Sequence, residues 1–194
     1  DGAGIGHHAD ALAQAQALRH ARRCGGLGDE AQRRGMARTA QVLAMVRKFR
    51  EGMSAAGHAP EGIKGAQSVA LAIWMARQGE SKPAIRQAIE QIFGYDLSRN
   101  CELIRKVNKF DETCQGSVPE AITCFLESVD FEDCIRLGIS IGGDSDTIAC
   151  IAGGIAQAYY GEIPNWIVAE TRSRLPQEFL DILDRFEERI LEIE

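Results

Sequence analysis

The sequence predicts an all-α protein that folds as a compact multi-helix bundle. From Pro60 onward, apolar residues recur at the 3.6-residue period of helices, and residues that start and end helices follow one another in turn. No segment alternates at period two for long enough to indicate a strand. The chain has 194 residues, and because one domain usually takes about 100 to 200 residues, a single sizeable core is expected.

The first two helices are predicted from their boundary residues. Pro60 suits the first turn of a helix, where its missing N–H costs nothing, and Gly79 ends that helix. Ser81 is expected to cap the second helix, which stops at Gly94.

The next two helices are predicted from caps and a glycine pair. Ser117, followed three residues later by Glu120, is expected to form a capping box at the start of a helix. Asp130 is expected to start the helix after it, and the adjacent Gly142 and Gly143 interrupt that helix.

Three more helices complete the predicted bundle. The first has the sequence TIACIAGGIAQAYY, is rich in small residues and ends at Gly161, while Pro164 and Pro176 open the other two. The end of the chain is interpreted as a solvated amphipathic helix, with apolar residues at helical spacing, namely Phe179, Ile182, Leu183 and Phe186.

The N-terminal quarter of the chain differs in composition from the rest. Residues 1–50 hold nine Lys and Arg against four Asp and Glu, a net +5, so the remainder carries −11. This stretch is rich in Ala, Arg and Gln, and its apolar stripe is thin. We therefore expect an atypical, poorly packed segment at residues 1–57 and the helical domain at residues 58–194.

Composition and charge argue against several classes of protein. A hydrophobic content of 45% with 26% charged residues is that of an ordinary globular chain. No window approaches about 20 uninterrupted apolar residues, and the start DGAGIGHHAD lacks the regions of a signal peptide, so a cytoplasmic protein without membrane partners is expected. A net charge of −6 argues against nonspecific binding to nucleic acid, which needs a basic surface.

The six cysteines are expected to be reduced and structural. They contain no CxxC pair, and no histidine completes a zinc-ligand spacing. Several lie within apolar stretches, where a free thiol behaves as a small hydrophobic group.

The segment with the most chemistry is SIGGDSDT, from Ser140 to Thr147. After the glycine pair, Asp144, Asp146 and Thr147 bring two carboxylates and a hydroxyl to the start of a helix. Such an oxygen cluster suits one side of a Mg²⁺ site. The alternative, equally supported by spacing, is that Asp144 caps the helix and Asp146 complements its dipole.

Two other ligand motifs are excluded by position. A calcium loop that starts at Asp144 would need an oxygen ligand, a glycine and a glutamate where the chain has Ile148, Ala149 and Ile155. GGDSDT matches neither GxGxxG nor the P-loop pattern, and no strand precedes it, so a nucleotide-binding turn of either kind is not expected.

The residues also carry a resemblance to a known family. GGDSDTIACIAGGIAQAYYGEIP resembles the C-terminal signature of the ADP-ribosylglycohydrolase family, which includes the dinitrogenase-reductase-activating glycohydrolase. PEGIKGAQSVALAIW and CQGSVPEAITCFLES resemble its central and preceding helices. The similarity runs from about Pro60 to Phe186 and includes three segments in the family's order.

The resemblance implies an orthogonal all-α fold, a two-magnesium centre and hydrolysis of the glycosidic bond that joins ADP-ribose to a protein side chain or a small acceptor. It implies that Asp144, Asp146 and Thr147 are metal ligands and that the two aspartates are catalytic. The substrate-binding residues it implies are Gly142, Gly143, Ser145, Gly116 and Ser117.

The chain departs from the family in its N-terminal part. The family places a GD-containing helix and a Ser/Thr-Asp-Asp cluster there, whereas the acidic residues before the boundary are Asp1, Asp10, Asp29 and Glu30, without matching context. A truncated copy is therefore expected. The alternative function is a non-catalytic remnant or a module that binds ADP-ribose.

Overall fold

The structure is a computed structural model that describes residues 60–107 and 109–191, together with Ala44 and Lys48. Within this part the chain forms eight α-helices and no strand, which confirms the all-α class. The helices are α1 Pro60–Arg77, α2 Lys82–Phe93, α3 Cys101–Val107, α4 Cys114–Glu127, α5 Phe131–Ser140, α6 Ser145–Tyr160, α7 Asn165–Ser173 and α8 Gln177–Leu191. The predicted segment 1–57 lies outside the described residues, apart from those two positions.

Several predicted helix boundaries are confirmed. The Ser81 hydroxyl accepts a hydrogen bond from the Ala84 N–H, and α2 ends at Gly94 with a left-handed φ of 66°. The Asp130 carboxylate accepts from the Asp133 N–H at 2.7 Å, which caps α5. These side chains satisfy N–H groups that the first turn of a helix leaves free.

The predicted capping box at Ser117 is wrong. Helix α4 begins one turn earlier, at Cys114, and its cap is Thr113, whose hydroxyl accepts from the Gly116 N–H at 3.3 Å. Ser117 is therefore inside the helix, and its hydroxyl donates to the Thr113 carbonyl at 3.0 Å instead of accepting from a free N–H. A serine four residues after a carbonyl can form this bond, so its spacing to a glutamate did not identify the helix start.

Helix α3 was not predicted from the sequence. Its start carries a capping signal, since the Asn100 side-chain oxygen accepts from the Leu103 N–H at 2.8 Å. The helix has seven residues, and Cys101 and Ile104 are its buried residues. So short a helix shows almost no apolar period.

Helix α6 lies at the centre of the bundle and packs against α1, α4 and α5. Its small residues permit close approach, because a Cβ added at Gly153 would lie 2.9 Å from Cδ1 of Ile135 on α5. On α5, a Cβ added at Gly138 would lie 3.1 Å from the Ala149 Cα. The close α5–α6 contact therefore depends on glycine on both helices.

The ends of α4 and α6 define the direction of the two helices. The Phe125 and Tyr159 rings, near the C-terminal ends, meet edge to face at 5.3 Å, and the Tyr160 hydroxyl donates to the Ser128 carbonyl at 2.8 Å. Both tyrosines therefore pack within the bundle. Because these helices also contact each other extensively, they run in the same direction and their N-terminal ends lie at the same end of the bundle.

None of the five described cysteines forms a disulfide, as predicted. Cys101 and Cys124 are buried with their sulfur atoms 3.8 Å apart, Cys134 is buried too, and Cys150 is exposed. Burial raises the pKa of Cys134 to about 11. The pKa of Cys124 is also raised, first by its hydrogen bond with Cys101 and then by burial, so both thiols are protonated at neutral pH.

No helix among the described residues is both long and apolar enough to span a membrane.

Candidate functional site

Two consecutive glycines build the turn between α5 and α6. Gly142 has a φ of 78° and Gly143 a φ of 68°, so both lie in the left-handed region. Residues with a Cβ pay about 1–2 kcal/mol to adopt that region. A Cβ added at Gly142 would meet no atom within 4 Å, so the backbone conformation, and not crowding, is what requires glycine there.

Asp144 follows the glycine pair and occupies the N-cap position of α6. Its side chain makes no capping hydrogen bond, while its main-chain carbonyl accepts from the Ile148 N–H at 3.0 Å. The capping interpretation of this carboxylate is therefore not found in the structure. The half-buried Asp144 side chain instead lies within hydrogen-bonding reach of the Asp146 side chain.

Asp146 lies in the first turn of α6, and its carboxylate is exposed. A side-chain hydrogen bond with Asp144 is the largest cause that lowers the pKa of Asp146, followed by hydrogen bonds from the N–H groups of Thr147 and of Asp146 itself. The Thr147 N–H donates to the Asp146 carboxylate at 3.0 Å. Asp146 is therefore ionised at neutral pH, which suits either a cation or the positive end of the helix dipole.

The three predicted metal ligands lie within four residues at one helix start. Two carboxylates and the exposed hydroxyl of Thr147 are the hard oxygen donors that Mg²⁺ prefers, so these residues fit one side of such a site. Among residues 60–107 and 109–191, no group of three or more His, Cys, Asp and Glu side chains is placed to hold a metal ion. In this part of the chain the pair has no third acidic partner.

Gly116 and Ser117, predicted to bind substrate, lie in the first turn of α4. A Cβ added at Gly116 would lie 2.6 Å from the Asp111 side-chain Cγ, so glycine is needed for this carboxylate to approach the helix. The Asp111 carboxylate accepts from the Thr113 N–H at 2.8 Å. Ser117 is 2% exposed, and its hydroxyl donates to main-chain carbonyls. The N–H groups of Gly116 and Ser117 donate to the Thr113 carbonyl at 3.1 and 2.9 Å, so both are already used within the helix start.

The fold places the two predicted regions at the same end of the bundle. Because α4 and α6 run in the same direction, Gly116 and Ser117 share that end with Gly142, Gly143 and Ser145.

Arg105 supports this region and was not singled out from the sequence. Its guanidinium donates to the Ser140 hydroxyl at 2.6 Å and to the Ser140 carbonyl at 3.0 Å, directly before the glycine turn. The residue lies on α3, the helix that the apolar period did not predict, so no pattern in the sequence pointed to it.

A family model now gives these residues a relationship to known proteins. The ADP-ribosylglycohydrolase family model matches residues 2–192. The chain therefore belongs to the ADP-ribosylglycohydrolase family.

Curated relatives agree with this assignment over part of their length. The chain is 30% identical over 116 residues to the mouse ADP-ribosylhydrolase ARH3, an alignment that covers 54% of this chain and 31% of the mouse protein. It is 45% identical over 56 residues to human ADP-ribosylhydrolase ARH3, covering 23% of this chain and 15% of that protein. The alignments thus span less than a third of these relatives. No solved structure matches the chain significantly.

Proposed function

We propose that this chain acts in a magnesium-dependent hydrolase that cleaves the glycosidic bond of ADP-ribose adducts, on proteins or on small acceptors. The observation that carries the proposal is the uncapped Asp144 carboxylate beside Asp146 at the start of α6. Family membership supports the ADP-ribose chemistry. The free state of the described cysteines fits a cytoplasmic location.

The residues at the start of α6 are proposed to bind the metal and to accept a proton. Asp144, Asp146 and Thr147 would hold Mg²⁺, with two ions in the complete site. The bound ions would supply positive charge for orienting the ribose hydroxyls and a water molecule. One of the two carboxylates, Asp144 or Asp146, would accept a proton from that water as its oxygen bonds to the anomeric carbon and the glycosidic bond to the acceptor breaks.

The helix starts would bind the rest of the substrate. The N-termini of α4 and α6 carry the positive ends of the helix dipoles, which favour the diphosphate of ADP-ribose. Gly142 and Gly143 would allow the substrate to approach closely because they carry no side chain, and Ser145 follows them at the start of α6. Gly116 and Ser117 belong to the start of α4, where the Asp111 carboxylate lies against Gly116.

The second candidate is a non-catalytic module that binds ADP-ribose. The observation in its favour is that residues 1–57 contain no Ser/Thr-Asp-Asp cluster to supply further metal ligands. Such a module would keep the helix N-termini and lose the hydrolytic step.

The test combines ADP-ribose release with ADP-ribose binding by calorimetry, on the full chain. We expect this chain alone to release almost no ADP-ribose, because the second acidic cluster is missing. A version that also carries the family's Ser/Thr-Asp-Asp cluster should show release that requires Mg²⁺, stops with EDTA and falls by about 100-fold, or about 2.7 kcal/mol, in Asp144→Asn. Glu162→Gln, an exposed carboxylate next to the other end of α6, is the control and should leave release unchanged. In that version, binding without release would favour the module, and EDTA-insensitive release or an active Asp144→Asn variant would refute the metal site.

A further inference from the structure

Arg105 of α3 forms two hydrogen bonds with the last residue of α5. Its Nε donates to the Ser140 carbonyl at 3.0 Å, and its Nη2 donates to the Ser140 hydroxyl at 2.6 Å. The Ser140 hydroxyl in turn donates to the Leu137 carbonyl at 2.9 Å. Because the guanidinium is planar and holds its donors in a fixed fork, two bonds to one residue fix its orientation as well as its distance.

The turn that follows Ser140 needs such an anchor. Gly142 and Gly143 have positive φ values, and a Cβ added at Gly142 would meet no atom within 4 Å. Because glycine can adopt more backbone conformations than other residues, the pair itself does little to hold the turn in one shape. The buried Ile141 side chain holds the core side of the turn, and the bonds to the exposed Ser140 hold its outer side. Asp144 lies four residues after Ser140, so its position depends on both.

Arg105 reaches α5 from a helix that is fixed on α4. Cys101 and Ile104 of α3 are 2% and 1% exposed and belong to the core. The Cys101 N–H also donates to the Glu127 carboxylate of α4 at 3.1 Å. A side chain on so firmly packed a helix can hold the outer side of a glycine turn in place.

We propose that Arg105 is a positioning residue, which holds the α5–α6 turn so that the Asp144 and Asp146 carboxylates can bind one cation together. The inference rests on the proposed function, because the cation is the Mg²⁺ of that site. The charge of Arg105 by itself works against the site, since a positive group near a bound cation repels it. Positioning and charge therefore predict opposite changes in Mg²⁺ affinity when Arg105 is replaced by a neutral residue.

Hydrogen exchange of the full chain in EDTA tests the hold on the turn without any metal. Arg105→Met should speed exchange of the Gly142 and Ile148 amides, which are hydrogen-bonded in the turn and at the start of α6, about tenfold. Arg136→Met is the matched control, because it removes the same charge from α5, where Arg136 pairs with Glu132 at 2.6 Å. It should leave both amides unchanged. Equal exchange in the two variants would overturn the proposal.

Calorimetric titration with Mg²⁺ separates positioning from charge. Arg105→Met should raise the Mg²⁺ dissociation constant about tenfold, while Arg136→Met should keep the value of the parent. Arg105→Lys keeps the charge but not the fork of donors, so it should restore only part of the affinity. Because Arg105 is exposed, these variants should fold.

The outcomes distinguish this proposal from the proposed function. Unchanged or tighter Mg²⁺ binding by Arg105→Met would overturn the positioning role. A parent that binds no Mg²⁺, with hydrogen exchange that responds as predicted, would refute the metal site and confirm Arg105 as the residue that holds the turn.

Discussion

At the scale of single residues, the site depends on backbone angles that precede the reactive groups. The left-handed Gly142 and Gly143 bring the chain into α6 so that Asp144 occupies the cap position without a capping hydrogen bond from its side chain. The sequence shows the glycines and the aspartates, but the spacing of these residues is the same whether or not the Asp144 side chain caps α6. The choice between them depends on torsion angles, so it could not be predicted.

Replacing the second glycine should destabilise the protein. Gly143→Ala places a Cβ on a residue with a φ of 68°, and we expect a loss of about 1 kcal/mol in the free energy of unfolding by urea. Gly62→Ala is the matched control, because Gly62 is helical and a Cβ there meets no atom within 4 Å. It should be neutral or raise stability by up to about 1 kcal/mol. A neutral Gly143→Ala would contradict the left-handed turn.

Glu120 should make stability depend on pH. It is 8% exposed, and burial raises its pKa, with Arg99, 3.8 Å away, opposing that effect. A carboxyl group whose pKa is raised by folding stabilises the folded state fully at a pH below its unfolded-state pKa. This contribution to stability is lost as the pH rises through its folded-state pKa. Glu120→Gln should therefore gain stability relative to the parent between pH 4 and pH 7, measured by urea unfolding at each pH. Glu102→Gln, which changes an exposed carboxylate, should show no such pH-dependent gain. The same gain in Glu102→Gln would refute burial of Glu120 as the cause.

At the scale of elements, side chains at the helix ends decided which boundaries could be predicted. Ser81, Asp130 and the glycine stops followed the rules for caps, and the structure confirms them. The predicted capping box at Ser117 was wrong because Thr113, one turn earlier, accepts the hydrogen bond from the Gly116 N–H. Helix α3 was not predicted because its one clear signal in the sequence is the asparagine cap at Asn100.

Lys82 should stabilise the packing of α2 against α4 and α6. Its ammonium donates to the Tyr160 hydroxyl at 2.9 Å and to the Ser128 carbonyl, and it lies 5.1 Å from the centre of the Phe125 ring. We expect Lys82→Met to lower the free energy of unfolding by about 1–2 kcal/mol. Lys106→Met, which removes an exposed pair with Glu102, should cost less than about 0.5 kcal/mol. Equal effects of the two variants would refute the contribution of the aromatic contacts.

At the scale of the whole molecule, helix direction brings the candidate ligands to one end of the bundle. The parallel course of α4 and α6 rests on contacts near their C-terminal ends, such as Phe125 with Tyr159. These contacts lie far from Asp144 and from Gly116 in the sequence. The apolar period predicted that both helices exist, but relative direction is a property of packing, which a period does not encode.

Unfolding by urea with and without Mg²⁺ tests most directly the proposal that Asp144 binds a cation and does not cap α6. For Asp144→Ala in EDTA we expect a change below about 0.5 kcal/mol, because no capping bond is lost. Mg²⁺ at about ten times its dissociation constant should stabilise the parent by about 1.4 kcal/mol and leave Asp144→Ala unaffected. Asp130→Ala, which removes a real cap, should cost about 1 kcal/mol and keep the Mg²⁺ response. A loss of about 1 kcal/mol for Asp144→Ala in EDTA, with no Mg²⁺ response in the parent, would contradict the account.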